Sequence, residues 1–193
     1  MLSSQAYNER EDKARYETIN GEEKLLAQPA TPHAFVAANI LRILGNYLRG
    51  KRCRVLGEVD VFFDEQNHFI PDLIVVCDRQ KIKYNGVYGA PDLVVEILSP
   101  RTAKNDKINK KAVYEKFGVK EYWLINPKDR SLEVNHLVEG KFVIDNIYHD
   151  YLPEDWDLLN DKEKAEEKFS VKVSLYDDLE ISVKEIFEDI DLD

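Results

Sequence analysis

The sequence predicts an α/β fold, because it combines the patterns of buried strands and amphipathic helices. Short apolar runs rich in valine and isoleucine, bounded by proline and glycine, are typical of buried strands. Such runs lie at Leu73–Cys77 and Leu93–Leu98. Apolar residues at helical spacing over His33–Leu48 predict a helix that packs on a sheet. The chain has 193 residues, 44% of them hydrophobic, so we expect one domain over residues 1–193.

Turn signals and strand patterns predict the remaining elements in chain order. Asn20-Gly21 is a strong hairpin signal. Gly118 is a predicted helix C-cap. The predicted elements are a hairpin over Tyr16–Ala27, one strand over Cys53–Asp64, a helix from about Ala103 to Phe117, a strand over Glu121–Asn126, a hairpin over Leu132–Ile144, a strand over Phe169–Tyr176 and a closing helix around Ile186.

Three acidic residues mark the centre of the chain. Asp72 and Asp92 each follow a proline and open an apolar strand, and Glu96 lies inside the second of these strands. Proline fits the first residue of a strand, where it breaks no ladder bond. A carboxylate within a buried run requires a partner, because an unpaired buried charge costs several kcal/mol. A metal ion is one such partner, and a buried arginine or lysine is the alternative.

Strand geometry decides which acid can act together with Glu96. Asp92 and Glu96 share a face of one strand but stand about 13 Å apart, which is too far for one ion. Asp72 lies 24 residues before Glu96, at the mouth of another strand, and strand pairing can bring the two together. The main-chain carbonyl of Ile97 is then expected close to the same point. For Asp92 we favour a structural role at the opening of its strand.

The residues around these acids resemble a known nuclease family. PD followed 24 residues later by an acidic strand resembles the active site of the PD-(D/E)xK nuclease superfamily. The runs G-x-x-G-A-P-D-L-V-V-E-I-L-S-P, T-x-x-x-D-x-x-x-K and Y-x-x-x-G-V-x-E-Y-W-L-I-N-P resemble the large bacterial family of restriction-endonuclease-like proteins within it. The resemblance extends to Tyr16–Glu22, His33, Ser174-Leu175 and Ile186-Phe187, nearly the whole chain. It implies a mixed central sheet flanked by helices, with additional β-hairpins.

One position departs from the superfamily pattern. The strand lysine of E-x-K is replaced by Leu98, and the resemblance implies that Lys110, on the following helix, takes its role. Helical spacing puts Lys107, Lys110 and Tyr114 on one face. The expected apolar stripe of this helix comprises Ile108, Ala112 and Phe117. Lys107 and Lys111 stay open as alternatives to Lys110.

The chemistry implied by this site is metal-assisted hydrolysis. Asp72 and Glu96, with the carbonyl of Ile97, are the expected ligands of Mg²⁺, with Mn²⁺ as a substitute, because oxygen ligands suit a hard cation. The ion polarises a phosphate and lowers the pKa of an attacking water. Lys110 is expected to stabilise charge on the phosphoryl oxygens or to orient the water. The secondary candidates are Glu58 or Asp60 as a third ligand, His33 as a phosphate contact or a helix cap, Asp92 and Lys107.

The expected function is therefore that of a Mg²⁺-dependent endonuclease acting on DNA. The alternatives are a nuclease acting on RNA and a non-catalytic nucleic-acid-binding or scaffold protein that keeps the fold. Loss of the strand lysine at Leu98 and the acidic C-terminus favour the non-catalytic alternative. Because cutting two strands suits two sites related by a two-fold axis, a homodimer is expected. We expect no small-molecule cofactor.

The charge distribution bears on the DNA substrate. The net charge is −10, but residues 150–193 carry 16 acids and 5 bases, so an acidic C-terminal segment from about residue 150 accounts for it. The segment Arg101–Lys120 carries 7 bases and 2 acids, and Arg49–Arg54 carries four bases. Such clusters suit a phosphate backbone. A solvated helix face is the alternative interpretation.

The sequence also sets expectations about compartment. It contains no apolar run near 18 residues, so no membrane span is expected. The first residues lack the charged-then-apolar pattern of a signal peptide. Cys53 and Cys77 form no disulfide framework and match no metal-ligand spacing, and Cys77 is expected to be a buried small hydrophobe. Together these features predict a reducing, cytoplasmic setting.

Overall fold

The computed structural model describes residues 15–99 and 103–191. Its strands are β1 Tyr16–Ile19, β2 Glu22–Leu25, β3 Arg54–Gly57, β4 Val61–Asp64, β5 Asn67–Phe69, β6 Leu73–Val76, β7 Ile82–Lys83, β8 Gly86–Tyr88, β9 Leu93–Ile97, β10 Glu121–Asn126, β11 Ser131–Val138, β12 Lys141–His149, β13 Ser170–Lys172 and β14 Glu180–Ser182. Its α-helices are α1 Thr31–Tyr47, α2 Lys111–Phe117, α3 Pro153–Leu158, α4 Asp161–Glu166 and α5 Val183–Ile186. A 3-10 turn spans Arg79–Lys81, and a π-helical segment, Asn105–Lys110, leads into α2.

The strands of the described residues form a mixed central sheet, a second six-stranded sheet and a separate two-stranded sheet. The central sheet has six strands in the order β12-β11-β10-β9-β6-β3, in which β9 and β10 run parallel. The second sheet has the order β2-β1-β5-β4-β8-β7, and β13 pairs with β14. This architecture confirms the prediction of an α/β fold with a mixed sheet flanked by helices and additional hairpins.

Side chains on the two faces of the central sheet build two apolar clusters. On one face, α1 packs through its buried residues, and the C-terminal Ile186 and Phe187 complete the cluster. On the other face, α2 and the second sheet cover the strands. The two clusters use alternate residues of the same strands, with Val75 and Val95 in the first and Ile74 and Val94 in the second. Burial on both faces explains the nearly continuous apolar runs of β6 and β9.

Several predicted elements are confirmed. The Asn20-Gly21 turn joins β1 to β2, and Glu139-Gly140 joins β11 to β12. The strand Glu121–Asn126 has the predicted bounds. Gly118 ends α2 in the left-handed region, at φ 82°, which glycine adopts without steric cost.

Two predicted strands are wrong. The single strand over Cys53–Asp64 is divided into β3 and β4, because Glu58 at φ 47° turns the chain out of the central sheet and into the second one. The strand over Phe169–Tyr176 is limited to β13, Ser170–Lys172. After β13 the chain turns, with the Val173 amide donating to the carbonyl of Leu179. Alternating polarity continues through both turns, so the sequence pattern did not show them.

The prediction for the cysteines is also wrong. Cys53 and Cys77 form a disulfide. Antiparallel pairing of β3 with β6 sets Arg54 opposite Val76, and the next step outward sets the two cysteines opposite each other. A spacing of 24 residues reveals nothing of this pairing. The cysteines therefore no longer support the expectation of a reducing compartment.

The sequence predicts no membrane-spanning helix, and the helices of residues 15–99 and 103–191 test this prediction. None of these helices combines the length and the apolar character needed to cross a bilayer.

Candidate active site

Asp72 and Glu96 lie side by side at one end of the central sheet. Antiparallel pairing of β6 with β9 sets Leu73 opposite Val95, so one further step sets Asp72 opposite Glu96. Residues directly opposite in an antiparallel pair project to the same face. Both line one cavity of about 370 Å³, together with Ile97. The Ile97 amide donates to Asp72 Oδ2 at 2.6 Å and holds that carboxylate against the end of β9.

The lysine of this cavity comes from the π-helical segment before α2. Lys110 Nζ lies 2.7 Å from Glu17 Oε1, 3.1 Å from Glu96 Oε1 and 3.5 Å from Asp106 Oδ1. The Lys110 side chain is only 5% exposed. A buried ammonium requires such partners, because its desolvation is otherwise uncompensated. The fold thus brings together Asp72, Glu96 and Lys110.

A tyrosine of α2 makes a further contact with Glu96. The Tyr114 hydroxyl donates to Glu96 Oε1 at 2.5 Å. The Tyr114 ring is fully buried and packs edge-on against Phe69 at a centroid distance of 5.4 Å. Burial, with the nearby Glu96 carboxylate, raises the pKa of Tyr114 well above its ordinary value. The hydroxyl is therefore a fixed donor that sets the position of the Glu96 carboxyl group.

The charges in this cluster do not balance. Among residues 15–99 and 103–191, the carboxyl groups of Glu17, Glu96 and Asp106 lie within 3.5 Å of Lys110 Nζ, and Asp72 acts electrostatically on Glu96. Burial raises the pKa of Glu96 well above its ordinary value, and Asp106, Asp72 and Glu17 raise it further against the opposing effect of Lys110. Burial alone lowers the pKa of Lys110, but Glu96, Glu17 and Asp106 reverse this and raise it. Lys110 therefore stays protonated, and the cluster favours additional positive charge.

His33 lies at the start of α1 and contacts the first acid. His33 Nε2 is 3.1 Å from Asp72 Oδ1, with both side chains mostly buried. Burial lowers the pKa of His33, but the hydrogen bond and charge of Asp72 outweigh it and raise the pKa. Within the described part of the chain, His33 Nδ1 is buried without a hydrogen-bond partner. His33 also lines the 370 Å³ cavity, so it forms part of the wall beside Asp72.

Glu58 and Arg15 form the wall of the cavity on the side of the second sheet. Arg15 donates to Glu58 Oε2 at 2.6 Å and to the Glu58 carbonyl at 2.8 Å. Both residues line the cavity. Asp60, the alternative third ligand, is instead paired with His68 at 2.7 Å and does not line this cavity.

Other candidates lie away from the cavity. Asp92 accepts from the Cys77 amide at 2.8 Å and from Lys120 Nζ at 2.7 Å, which matches a structural role at the strand opening. Lys107 is exposed. Lys111 reaches Asn135 on β11 at 2.7 Å.

The predicted faces of this helix are correct for Lys110, Tyr114 and Phe117 and wrong for Lys107, Ile108 and Ala112. Asp106, Lys110 and Tyr114 share the buried face, whereas Ile108, expected in the apolar stripe, is 58% exposed. Ala112 of that stripe is exposed as well. A π-helix bonds i to i+5, so side-chain directions shift from those of an α-helix.

The oxygen groups of the cavity fit a hard divalent cation. Within residues 15–99 and 103–191, no three His, Cys, Asp or Glu side chains converge in a metal-binding arrangement. Mg²⁺ requires fewer protein ligands, because it keeps several waters and commonly binds through one or two carboxylates. Asp72 and Glu96, with the carbonyl of Ile97, are the groups that would hold such an ion, and among the described residues the acids that line the cavity outnumber its lysine and arginine.

Sequence reasoning missed two residues of the cluster. Glu17, on β1, accepts from the Ile70 amide at 2.8 Å and from Lys110. Asp106 is 2% exposed and lies one helical turn before Lys110. Both positions stand inside the runs that carried the family resemblance. These motifs could have marked Glu17 and Asp106 as candidate site residues. Nothing in the sequence showed that both residues contact Lys110.

Comparison with known structures defines the class of the fold. The crystal structure of a "putative nuclease belonging to DUF820" from Anabaena variabilis ATCC 29413 superposes with a TM-score of 0.64, covering 91% of this chain and 90% of that one at 19% identity. The two chains therefore share one fold.

Comparison of sequences gives the family. Residues 4–160 match the Uma2 family, described as "Putative restriction endonuclease", and the chain belongs to this family. The uncharacterized protein slr1290 of Synechocystis sp. (strain ATCC 27184 / PCC 6803 / Kazusa) is 28% identical over 164 residues, which are 82% of this chain and 80% of that protein. The family confirms the resemblance drawn from the central motifs.

Proposed function

We propose that this protein is a metal-dependent endonuclease that hydrolyses phosphodiester bonds in DNA. The observation that carries the proposal is the meeting of Asp72, Glu96 and Lys110 at one cavity at the end of the central sheet. Membership of a restriction-endonuclease family supports the same reaction class. Such hydrolysis needs carboxylates that bind a metal ion and a positively charged side chain that stabilises the phosphate.

Asp72, Glu96 and the Ile97 carbonyl are the proposed ligands of Mg²⁺, for which Mn²⁺ substitutes. The bound ion polarises the phosphate and activates a water. The chain's own part is to hold the ligands in place. The Ile97 amide and His33 fix the Asp72 carboxylate, and the Tyr114 hydroxyl fixes that of Glu96.

Lys110 has an electrostatic role in this proposal. Because Glu96, Glu17 and Asp106 raise its pKa, the ammonium keeps its proton across the physiological range. A permanently charged lysine cannot accept a proton from water, so it does not act as a general base. It stabilises the negative charge that develops on the phosphoryl oxygens.

Exposed basic residues along the helical region that carries Lys110 support a nucleic-acid substrate. Lys104 and Lys107 are exposed on the segment that carries Lys110, and Lys116 follows on α2. Exposed lysines attract a phosphate backbone through counterion release. Because DNA has two strands to cut, the proposal includes a homodimer with two sites; sedimentation equilibrium measures its mass.

Cleavage and metal binding test the proposal together. Supercoiled plasmid and RNA are incubated with Mg²⁺ and wild-type protein, Asp72→Asn or Glu96→Gln, with Glu154→Gln on exposed α3 as the control. We expect plasmid cleavage by the wild type and the control, and a loss of at least about 100-fold in both site variants. Calorimetric titration with Mn²⁺ should show binding that Glu96→Gln weakens.

Other results would lead to other functions. Cleavage of RNA alone would assign the protein to ribonucleases. Absence of cleavage together with equal Mn²⁺ titrations for wild type and Glu96→Gln would exclude the metal site and leave a binding or scaffold protein.

A further inference from the structure

A second cavity adjoins the proposed active site. It has a volume of about 340 Å³ and lies between the β3–β4 connection and the β7–β8 hairpin. Glu58 lines both cavities, so they share one wall. The second cavity has an apolar lining with polar groups among it: Leu56, Val59, Ile82 and Val87 are apolar, and Glu58, Asp60, Lys83 and Asn85 are polar.

The walls of the second cavity are fixed against each other. The Val87 amide donates to the Asp60 carbonyl at 2.7 Å. Gly86 has φ +143°, and a Cβ added there would lie 2.5 Å from the same carbonyl oxygen. Only glycine permits this approach of the hairpin to the β3–β4 connection. The cavity is therefore formed before any ligand binds.

Tyr84 stands at the tip of the β7–β8 hairpin and lines the second cavity. Its relative exposure of 108% is the highest among the exposed large hydrophobic side chains of the described residues. Lys83 beside it is also exposed. Exposed aromatic rings next to a positive charge are the features on which bases of single-stranded nucleic acids stack.

The charges of the cavity distinguish a base from a phosphate. The carboxylates of Glu58 and Asp60 repel a phosphate. A carboxylate offers about four acceptor sites, so these two groups can accept from a base amino group in addition to their contacts with Arg15 and His68. Carboxylates accept from the cytosine amino group in this way.

We propose that the second cavity is a nucleobase subsite, which takes an unpaired base with an exocyclic amino group next to the phosphate in the first cavity. Tyr84 stacks on the base, the two carboxylates accept from its amino group, and Lys83 contacts the adjoining phosphate. This inference rests on the proposed nuclease function for the position of the phosphate. It specifies which feature of the nucleic acid the protein recognises, namely an unpaired base in addition to the phosphate backbone.

Binding measured without cleavage tests the subsite. The probes are 12-nucleotide oligodeoxycytidine, oligodeoxythymidine and a fully abasic chain of equal length, each labelled for fluorescence anisotropy and titrated in EDTA. We expect the wild type to bind oligodeoxycytidine more tightly than the other two. Tyr84→Ala should weaken binding of oligodeoxycytidine about tenfold or more and leave the abasic chain unchanged.

Matched variants separate stacking from other effects. Tyr84→Phe keeps the ring and should bind as the wild type does. Tyr16→Ala removes another exposed tyrosine, on β1 and outside both cavities, and should change nothing. Lys83→Ala should weaken the intact and the abasic chains alike, because it removes a phosphate contact. An oligoribocytidine arm shows whether the base is taken from RNA as well as from DNA.

The result that overturns the subsite differs from the one that overturns the nuclease. Equal affinity of Tyr84→Ala and wild type for oligodeoxycytidine removes the subsite, and so does absence of binding by the wild type. Either result leaves metal-dependent plasmid cleavage to decide the nuclease proposal. Base-dependent binding through Tyr84 without any cleavage by the wild type supports the subsite and rejects the nuclease.

Discussion

At the scale of single residues, Lys110 joins a proposed catalytic role to a structural one, because its buried ammonium contacts Glu96 and Glu17. Lys110→Met should lower plasmid cleavage about 100- to 1,000-fold, because it removes the proposed charge on the phosphoryl oxygens. It should also lower the free energy of unfolding by about 3–5 kcal/mol, because buried Glu96 and Glu17 lose their cation. Cleavage is compared at a temperature where near-ultraviolet circular dichroism shows both proteins folded.

Lys107→Met is the matched control, since it alters an exposed lysine of the same segment. It should leave stability nearly unchanged. Equal cleavage rates for Lys110→Met and wild type would remove Lys110 from the mechanism.

A second residue, His136, provides a pH dependence of stability. His136 Nε2 lies 3.8 Å from Oε1 of fully buried Glu121. This carboxylate raises the pKa of His136 above its ordinary 6.5, and partial burial opposes the effect. Because the pKa is raised in the folded state, the ion pair stabilises the protein fully below about pH 6.5 and is lost as pH rises through the raised pKa.

Comparison of wild type with His136→Gln measures this effect. At pH 5.5 the wild type should be more stable by about 0.5–1 kcal/mol, an ordinary value for a partly exposed pair. At pH 9 the difference should vanish. Urea unfolding at the two pH values gives both numbers, and a difference that is constant with pH would contradict the ion pair.

The sequence identified the acids of the site but not their whole environment. Asp72 and Glu96 were predictable, because a proline-led strand opening and an acid within an apolar run are local signals. The role of Glu17 was not predictable from local pattern, because it depends on the second sheet bringing β1 to Lys110. The Arg15–Glu58 contact depends on a turn with positive φ that the sequence did not reveal.

At the scale of elements, the turn of the β11–β12 hairpin holds Glu139 in a strained backbone conformation that a substitution can relieve. Glu139 and Gly140 both have positive φ, 49° and 78°, as in a type I′ turn, which favours Asn-Gly. Glu139→Asn should therefore stabilise the protein by about 0.5–1 kcal/mol. Gly140→Ala, at the next position, should destabilise it by about 1 kcal/mol. Thermal unfolding of the two variants checks the opposite signs; stabilisation by both would contradict the turn geometry.

Elements with strong local signals were predicted well. The hairpin turns and strand β10 follow from residue type alone. The faces of the helix that carries Lys110 followed only in part: Lys110 and Tyr114 share the predicted face, but Ile108 does not pack. Helical spacing assumes bonds from i to i+4, and the segment Asn105–Lys110 departs from that pattern.

At the scale of the whole molecule, the Cys53–Cys77 disulfide joins two strands of the central sheet. It closes a loop with a sequence separation of 24 residues. Loop-closure entropy predicts a contribution of about 3.5 kcal/mol. The double variant Cys53→Ala/Cys77→Ala should lose about this amount in urea unfolding under oxidising conditions.

The reducing agent dithiothreitol supplies the control for the disulfide. It should destabilise the wild type by a similar amount and leave the double variant unaffected. Insensitivity of the wild type to dithiothreitol, together with two titratable thiols in the native protein, would show that the bond does not form in solution.

The fold class followed from the sequence, but the pairing of strands did not. Apolar runs indicate that strands exist and are buried on both faces. They do not reveal that β6 lies between β3 and β9 in the sheet. This strand order places Asp72 beside Glu96 and Cys53 beside Cys77.

The cluster around Lys110 also has a consequence for how the molecule matures. Its members come from β1, β9 and the segment before α2, regions far apart along the chain. A nascent or partly digested polypeptide that lacks one of them cannot complete the cluster. Competence for the proposed reaction should therefore be gained only at the final stage of assembly, when these distant pieces have docked.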